Sequence, residues 1–253
     1  MSTQSRMRGD VAADVQRVDL AQWQADASWW RAQRRPVVIA EAFADSIAVR
    51  TWTPETIAER YPNVDVVVQC SPTGTGDPAQ SAGGAMTMAQ FVSLLREGRA
   101  CALKQHQVKS TPRLFFELDI ARAVAPPYWA VNLWMCNEAR SPLHFDQREN
   151  VFVQVHGTKR FILEPPTSTA RLYMRDGDAA HISWVDPVKL DPGRFPDYDP
   201  GQQSIALLGA GDALYIPPGW FHHVTAPGLA ISANCWFGDT LSAGEDEEAG
   251  ERT

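Results

Sequence analysis

The sequence predicts a mainly β protein: an all-β barrel or sandwich in the C-terminal half, with a helical surround supplied by the N-terminal half. Two observations carry this. After Pro126 strand-like runs alternate with turns: "YWAVNLWMC", "PLHFD", "NVFVQVHG", "KRFILEPP", "QSIALLGAGDALYIPPG" and "HHVTAPGLAISANCWFG". Short apolar runs punctuated by Gly and Pro are the pattern of antiparallel strands. Before Pro126 the chain mixes helix-period and strand-like segments. A length of 253 residues suits one large domain of this kind.

The elements follow in order. Residues 1–15 are polar and are expected to be a flexible N-terminus. From Val18, "VDLAQWQADASWWRAQRRPVVIAEAF" reads as a short helix with Trp23, Trp29 and Trp30 on one face, then the strand "VVIA" after Pro36. In "WTPETIAERYPNVDVVVQC", Thr53 is placed to cap a helix that begins at Pro54, and Val64 to Cys70 reads as a strand. Residues 71–85, "SPTGTGDPAQSAGGA", read as a loop, either mobile or a lid. "TMAQFVSLLREG" reads as a helix capped by Thr87 and stopped by Gly98. Ala100 to Val108 reads as a strand, and "STPRLFFELDIARAV" as a helix or helical turn. The resulting division is a flexible stretch 1–15, a single domain 16–240 with its β core at about 126–237, and an acidic disordered tail 241–253.

Composition excludes some functions. The formal net charge is -7, and the tail from Ala243, "AGEDEEAGERT", holds five acids and one arginine. The body is therefore only mildly acidic, and no Lys/Arg block appears, so nucleic-acid binding through phosphate neutralisation is disfavoured. No apolar run approaches the roughly 18 residues of a membrane span, and no signal-peptide core follows the charged start. The four cysteines, Cys70, Cys101, Cys136 and Cys235, are far apart in apolar stretches. They read as buried reduced thiols, with a zinc cluster or disulfide as the lesser alternative. A reducing cytoplasm is the default setting.

The chemistry concentrates in Ser141 to Arg160, "SPLHFDQRENVFVQVHGTKR". On a strand, residues i and i+2 share a face, so His144 and Asp146 can point the same way with Phe145 turned aside. One imidazole and one carboxylate are half of a mixed N/O metal site, and a second imidazole completes a facial triad. By itself the pair is a weak signal, equally compatible with a surface HxD. The third ligand has two candidates, His222 and His223, in "GAGDALYIPPGWFHHV". Lys159 and Arg160 follow at the start of the next strand, and a lysine turned inward is costly unless it meets an anion. His156 and His181 read as exposed or loop residues.

Together, "SPLHFDQRENVFVQVHGTKRFILEPP", "LLGAGDALYIPPGWFHHV" and "ANCWF" make the span from about Val131 to Phe237 resemble the JmjC, cupin-like Fe(II)/2-oxoglutarate oxygenases. The resemblance is strongest to the hydroxylase branch, which includes the asparaginyl hydroxylase that inhibits hypoxia-inducible factor and a small tRNA wybutosine hydroxylase. It implies a double-stranded β-helix, the jelly-roll of cupins. It makes His144, Asp146 and His222 the iron ligands, with His222 preferred to His223 because it follows the aromatic pair Trp220–Phe221. It assigns Lys159 and Ser141 to the distal carboxylate of 2-oxoglutarate, Asn150 and Asn234 to the cosubstrate's polar surroundings, and Trp236 to an aromatic position near the metal. Fe(II), 2-oxoglutarate and O2 are the implied cofactor and cosubstrates.

One departure stands out. The asparaginyl hydroxylase carries a distal-carboxylate tyrosine in a "YLQQ" stretch. The counterpart here is "ALKQ", with Ala102 in the tyrosine's place and Lys104 and Gln105 as candidate cavity residues. The resemblance implies an oxygenase that hydroxylates a peptide or protein side chain. A small-molecule or natural-product peptide hydroxylase, an N-methyl-lysine demethylase and a non-catalytic cupin-like binding module are the alternatives. The asparaginyl hydroxylase dimerises through helices after its barrel, and the polar, acidic stretch after Phe237 is not expected to supply that dimer mode.

Overall fold

The computed structural model describes residues 13–71 and 82–240. The predicted acidic tail and all but the end of the flexible N-terminus lie outside these residues, as does most of the 71–85 loop. In chain order the elements begin with β1 (Ala13–Asp14), β2 (Arg17–Asp19), α1 (Leu20–Ala25), α2 (Ala27–Ala32) and β3 (Val37–Ala40). Next come α3 (Ile47–Thr51), α4 (Pro54–Arg60), β4 (Asp65–Cys70), β5 (Ala82–Thr87), α5 (Met88–Arg96), β6 (Cys101–Gln107) and α6 (Pro112–Leu118). The β-rich half holds β7 (Tyr128–Cys136), β8 (Ala139–Arg140), β9 (His144–Phe145), β10 (Arg148–His156) and β11 (Lys159–Glu164). It ends with β12 (Ser204–Leu208), β13 (Ala213–Ile216), β14 (Phe221–Ala226) and β15 (Ala230–Thr240).

These strands form two sheets. The larger runs β2-β3-β13-β10-β15-β7-β6-β4-β5, and the smaller runs β1-β12-β11-β14-β8 with β9 also paired to β14. Phe152, Leu214 and Ile216 of the large sheet pack against Phe161, Leu163 and Leu208 of the small one, so the sheets lie face to face. The fold is the predicted jelly-roll, but the sheets do not close into a barrel.

Both faces of the large sheet's central strands, such as β10 and β13, are covered, and this explains their near-continuous apolar runs. On β10, Val151, Val153 and Val155 face the helical layer, where they join Trp23, Phe43, Trp52 and Phe91. The alternate residues Asn150 and Phe152 face the small sheet and the cavity between the sheets. The helical surround is anchored by polar contacts as well as packing. Trp23 Nε1 donates to the Ala123 carbonyl at 2.8 Å. Arg31 pairs with Glu149 on β10, which also accepts from Tyr215 Oη at 2.8 Å.

Several local expectations hold in detail. Thr53 caps α4 with Pro54 in its first turn, and Thr87 caps α5, each through a capping box. Others change. The expected single helix after Val18 is two short helices, because Asp26 leaves helical geometry and its side chain caps the second. Trp23 is then buried while Trp29 is 48% exposed. The Gly-rich end of the expected loop forms β5, an edge strand paired in register with β4.

The expectation of four reduced thiols is overturned for two of them. Cys70 and Cys101 stand directly opposite each other on β4 and β6 and form a disulfide. Only sheet register brings them together, since they are 31 residues apart in sequence. Cys136 and Cys235 are free and buried, as expected. The reduced-thiol support for a cytoplasmic setting is correspondingly halved. No helix among the described residues is long and apolar enough to cross a membrane.

Loop closure by this bond is expected to contribute on the order of 3 kcal/mol to stability. Under non-reducing denaturation, alkylation should label two cysteines, and reduction should label four. The Cys70→Ser/Cys101→Ser variant should unfold at lower denaturant than the oxidised protein. Four labelled cysteines before reduction would refute the pairing.

Candidate metal centre and cosubstrate cavity

The centre is built where the short strand β9 lies against β14. Their register sets His144 directly opposite His222, with the imidazole rings 4.2 Å apart between centroids. Asp146 follows β9 by one residue and is pinned there by the Gly219 N–H, which donates to its carbonyl at 2.9 Å. Its Oδ2 lies 3.8 Å from His222 Nε2. One ligand atom from each of His144, Asp146 and His222 falls within 4.8 Å of the others.

Strand parity settles the choice between the two histidines. His222, Val224 and Ala226 line the cavity, whereas Phe221 faces away, into an apolar cluster with Leu143, Leu172 and Val185. His223 shares the parity of Phe221 and is buried on that outer side. The predicted turning aside of Phe145 is also present: it packs edge-on against Phe221, with centroids 5.2 Å apart.

The donor set fits a divalent metal on its own chemistry. His144 Nδ1 lies 2.9 Å from the Pro142 carbonyl and His222 Nδ1 lies 3.1 Å from the Trp220 carbonyl. A carbonyl only accepts, so each Nδ1 carries the proton and each Nε2 is left with its lone pair. Burial, reinforced by the neighbouring His222, pushes His144 down to about 4, which keeps it neutral and able to ligate. Two imidazoles and one carboxylate with open positions are the ligand set of non-haem iron(II) oxygenases.

A polar network fixes the carboxylate. Trp236 Nε1 donates to Asp146 Oδ2 at 3.1 Å, and Asn150 Nδ2 approaches the same oxygen at 3.4 Å. Asn150 Oδ1 accepts from Asn234 Nδ2 at 3.2 Å, and Asn234 Oδ1 accepts from Trp134 Nε1 at 2.6 Å. Asn150, Asn234 and Trp236, expected around the cosubstrate and beside the metal, here form a network that ends on Asp146. Trp134 belongs to the same network and was not singled out by the sequence. Its signal was parity, since it sits on the cavity face of β7.

Lys159 lies away from the triad in the same cavity of about 470 Å3. It is 6% exposed, and burial lowers its pKa. Its Nζ donates to Ser232 Oγ at 2.8 Å and sits 4.9 Å from the Phe152 ring centroid. Among the described residues no carboxylate pairs with it. A buried cation without an anion is a site that favours one. Gly157 makes the turn that delivers this lysine: its φ is +70°, and a Cβ there would collide with the Leu229 carbonyl oxygen.

Ser141 also lines the cavity, and its Oγ accepts the Val224 N–H at 2.9 Å, leaving the hydroxyl hydrogen for another acceptor. Ser232 is a functional candidate that sequence reading missed. It precedes Asn234 by two residues on β15 and so had to share its face. Ala102, Lys104 and Gln105 line the cavity as anticipated, and so does His181, from a turn whose backbone bridges to β9. His156 ends β10, half-buried, and does not line the cavity.

Residues 24–242 match the family model described as a cupin-like domain. The chain belongs to the cupin-like family. Among its relatives is the bifunctional peptidase and (3S)-lysyl hydroxylase JMJD7 of Homo sapiens, 26% identical over 248 residues that cover 82% of this chain and 78% of the human one. Jumonji C domain-containing protein 5 of Drosophila melanogaster is 37% identical over 98 residues, 38% of this chain and 24% of the fly protein. Lysine-specific demethylase JMJ31 of Arabidopsis thaliana is 35% identical over 116 residues, 43% of this chain and 21% of the plant protein. The chain thus spans about a quarter or less of the fly and plant relatives and most of the human one.

The second histidine gives a pH test away from the metal. Burial pushes His223 down to about 4, and its Nδ1 has no hydrogen-bond partner. Between about pH 6.5 and pH 4 the unfolded chain binds a proton that the folded chain refuses, so stability falls as pH falls through this window. In the apo protein His144 acts in the same direction. Replacing His223 with Gln should flatten the decline by on the order of 2 kcal/mol, read from denaturant midpoints at pH 7 and pH 4.5. An unchanged slope would refute this account.

Proposed function

We propose that this protein is an Fe(II)- and 2-oxoglutarate-dependent dioxygenase that hydroxylates a C–H bond on a side chain of a peptide or protein. Succinate and CO2 would be the co-products. The observation that carries the reading is the pairing, in one cavity, of the His144–Asp146–His222 group with the buried Lys159. A metal-binding group alone would suit many cupins. A buried cation without a carboxylate partner adds the specific requirement for an anionic co-ligand that reaches toward the metal.

Each residue then has a task. His144, Asp146 and His222 would hold iron through two Nε2 atoms and one carboxylate. Lys159 and Ser232, with the free hydrogen of Ser141, would take the far carboxylate of 2-oxoglutarate. Asn150, Asn234 and Trp236 hold Asp146 in position, so that the ligand set stays open on the cavity side. Iron(II) and 2-oxoglutarate bound there supply oxidative chemistry toward an unactivated C–H bond. The protein's share is orientation and exclusion of water by the apolar cavity wall.

Hydroxylation is favoured over demethylation by the extent of the relationships. The relative named as a lysyl hydroxylase is matched across most of both chains, whereas three named as lysine-specific demethylases are matched over 21% to 41% of their length. A non-catalytic binding module is disfavoured because the three ligand side chains are present, oriented and supported.

Two variants test the reading. Purified protein with Fe(II), ascorbate and labelled 2-oxoglutarate should release labelled CO2, and His144→Ala should abolish both release and stoichiometric iron binding. Lys159→Ala should keep iron but raise the 2-oxoglutarate concentration for half-maximal turnover at least tenfold. This corresponds to the loss of a charge-assisted contact worth about 1.5 kcal/mol or more. Full activity of either variant would refute the assignment of that residue.

A further inference from the structure

We propose that Gln105 is a substrate-contact residue whose carboxamide grips the main chain of a polypeptide presented to the metal; this rests on the peptide-hydroxylase reading above. A β-bulge and the place where it falls carry it. Gln105 is a non-glycine residue in left-handed backbone geometry, with φ +51°. It lies within the register shift between Leu103 and His106, where β6 pairs with β7. It lines the cavity that holds the metal ligands.

The bulge has a specific consequence. In a regular strand Lys104 and Gln105 would point to opposite faces. Leu103 pairs with Met135 and His106 with Leu133, so the two residues between them oppose the single residue Trp134. The bulge sets two polar residues, Lys104 and Gln105, opposite one partner, and both line the cavity. A left-handed conformation costs a residue with a Cβ about 1 kcal/mol or more. Asn and Asp often offset this with a hydrogen bond to their own backbone, but the Gln105 side chain makes no such bond among the described residues. The strain is therefore kept without local return, at the wall of the cavity.

Position gives the chemical class of the ligand. Gln105 enters the cavity from β6 of the large sheet, whereas His144 and His222 enter it from β9 and β14 of the small one. A primary carboxamide offers one acceptor and two donor hydrogens and no charge. Its natural partner is a peptide group, which offers one N–H and one carbonyl. Trp134, opposite the bulge, ties this wall to the Asn234–Asn150–Asp146 network. A backbone held at Gln105 is therefore registered against the same scaffold that orients the metal ligand.

The test uses a pool of acetylated, amidated decapeptides with a fixed central residue, one pool for each amino acid, read by the gain of one oxygen in mass. Wild type, Gln105→Ala and Gln105→Gly are compared on the pool that wild type oxidises best. Both variants should raise KM for peptide about tenfold while kcat at saturation falls less than threefold. Gln105→Gly should in addition raise the melting temperature, because glycine accepts the left-handed backbone. KM unchanged in both variants overturns the proposal and leaves the hydroxylase reading intact. A raised KM in the glycine variant alone also overturns it, because the effect would then belong to the backbone. Labelled CO2 release without oxidation of any pool overturns the peptide reading, and this proposal with it.

Discussion

The pairing of β9 with β14 is the contact on which the candidate site depends, because it fixes two of three ligand positions with one piece of backbone register. His144 and His222 are opposite partners in that pairing, and a slip of β9 by one residue would turn His144 out of the cavity. β9 is only two residues long, so it cannot hold this register alone. β14 is clamped on its other side by β11, with Leu163 opposite His222. The segment around Ile182 bridges to His144 from beyond β9. The Gly219 N–H fixes Asp146 from the turn that enters β14. A short ligand strand is thus held between two neighbours and stapled at its end.

The large sheet supplies the rigidity behind this edge. Its outer face is buried under the helices, and its inner face carries the polar network that ends on Asp146. The inner face is unusual in holding buried asparagines and tryptophan N–H groups at positions where apolar residues would pack more simply. Each finds a partner, so desolvation is offset by hydrogen bonding. The network converges on a carboxylate, and its donors compensate for removing that charge from water. Stability of the sheet and orientation of the ligand are therefore the same set of interactions.

Lys159 shows the opposite arrangement. A hydroxyl and an aromatic face are modest compensation for a buried ammonium, and the lowered pKa reflects that deficit. Ser232 meets the lysine from β15, and Gly157 shapes the turn that enters β11. An unsatisfied cation beside an open volume destabilises the empty protein and favours an anionic ligand, which links the local cost to the proposed activity.

The sequence by itself determined the class of fold, the capped helices α4 and α5, and the identity of the triad candidates. These rest on local signals: alternation, capping residues and a pair of ligands at i, i+2, joined by a family resemblance over the C-terminal half. Through the resemblance it also singled out Asn150, Asn234 and Trp236, though not their shared contact with Asp146. Tertiary structure decided what depends on which strands become neighbours. It chose His222 over His223 by parity, and it paired Cys70 with Cys101 through the β4–β6 register. It brought Ser232 to Lys159 and formed the β6 bulge that sends Gln105 to the cavity wall. It left two facing sheets with open edges instead of a closed barrel. Cross-strand neighbours are set by pairing over tens of residues, and no short-range pattern along the chain carries that information.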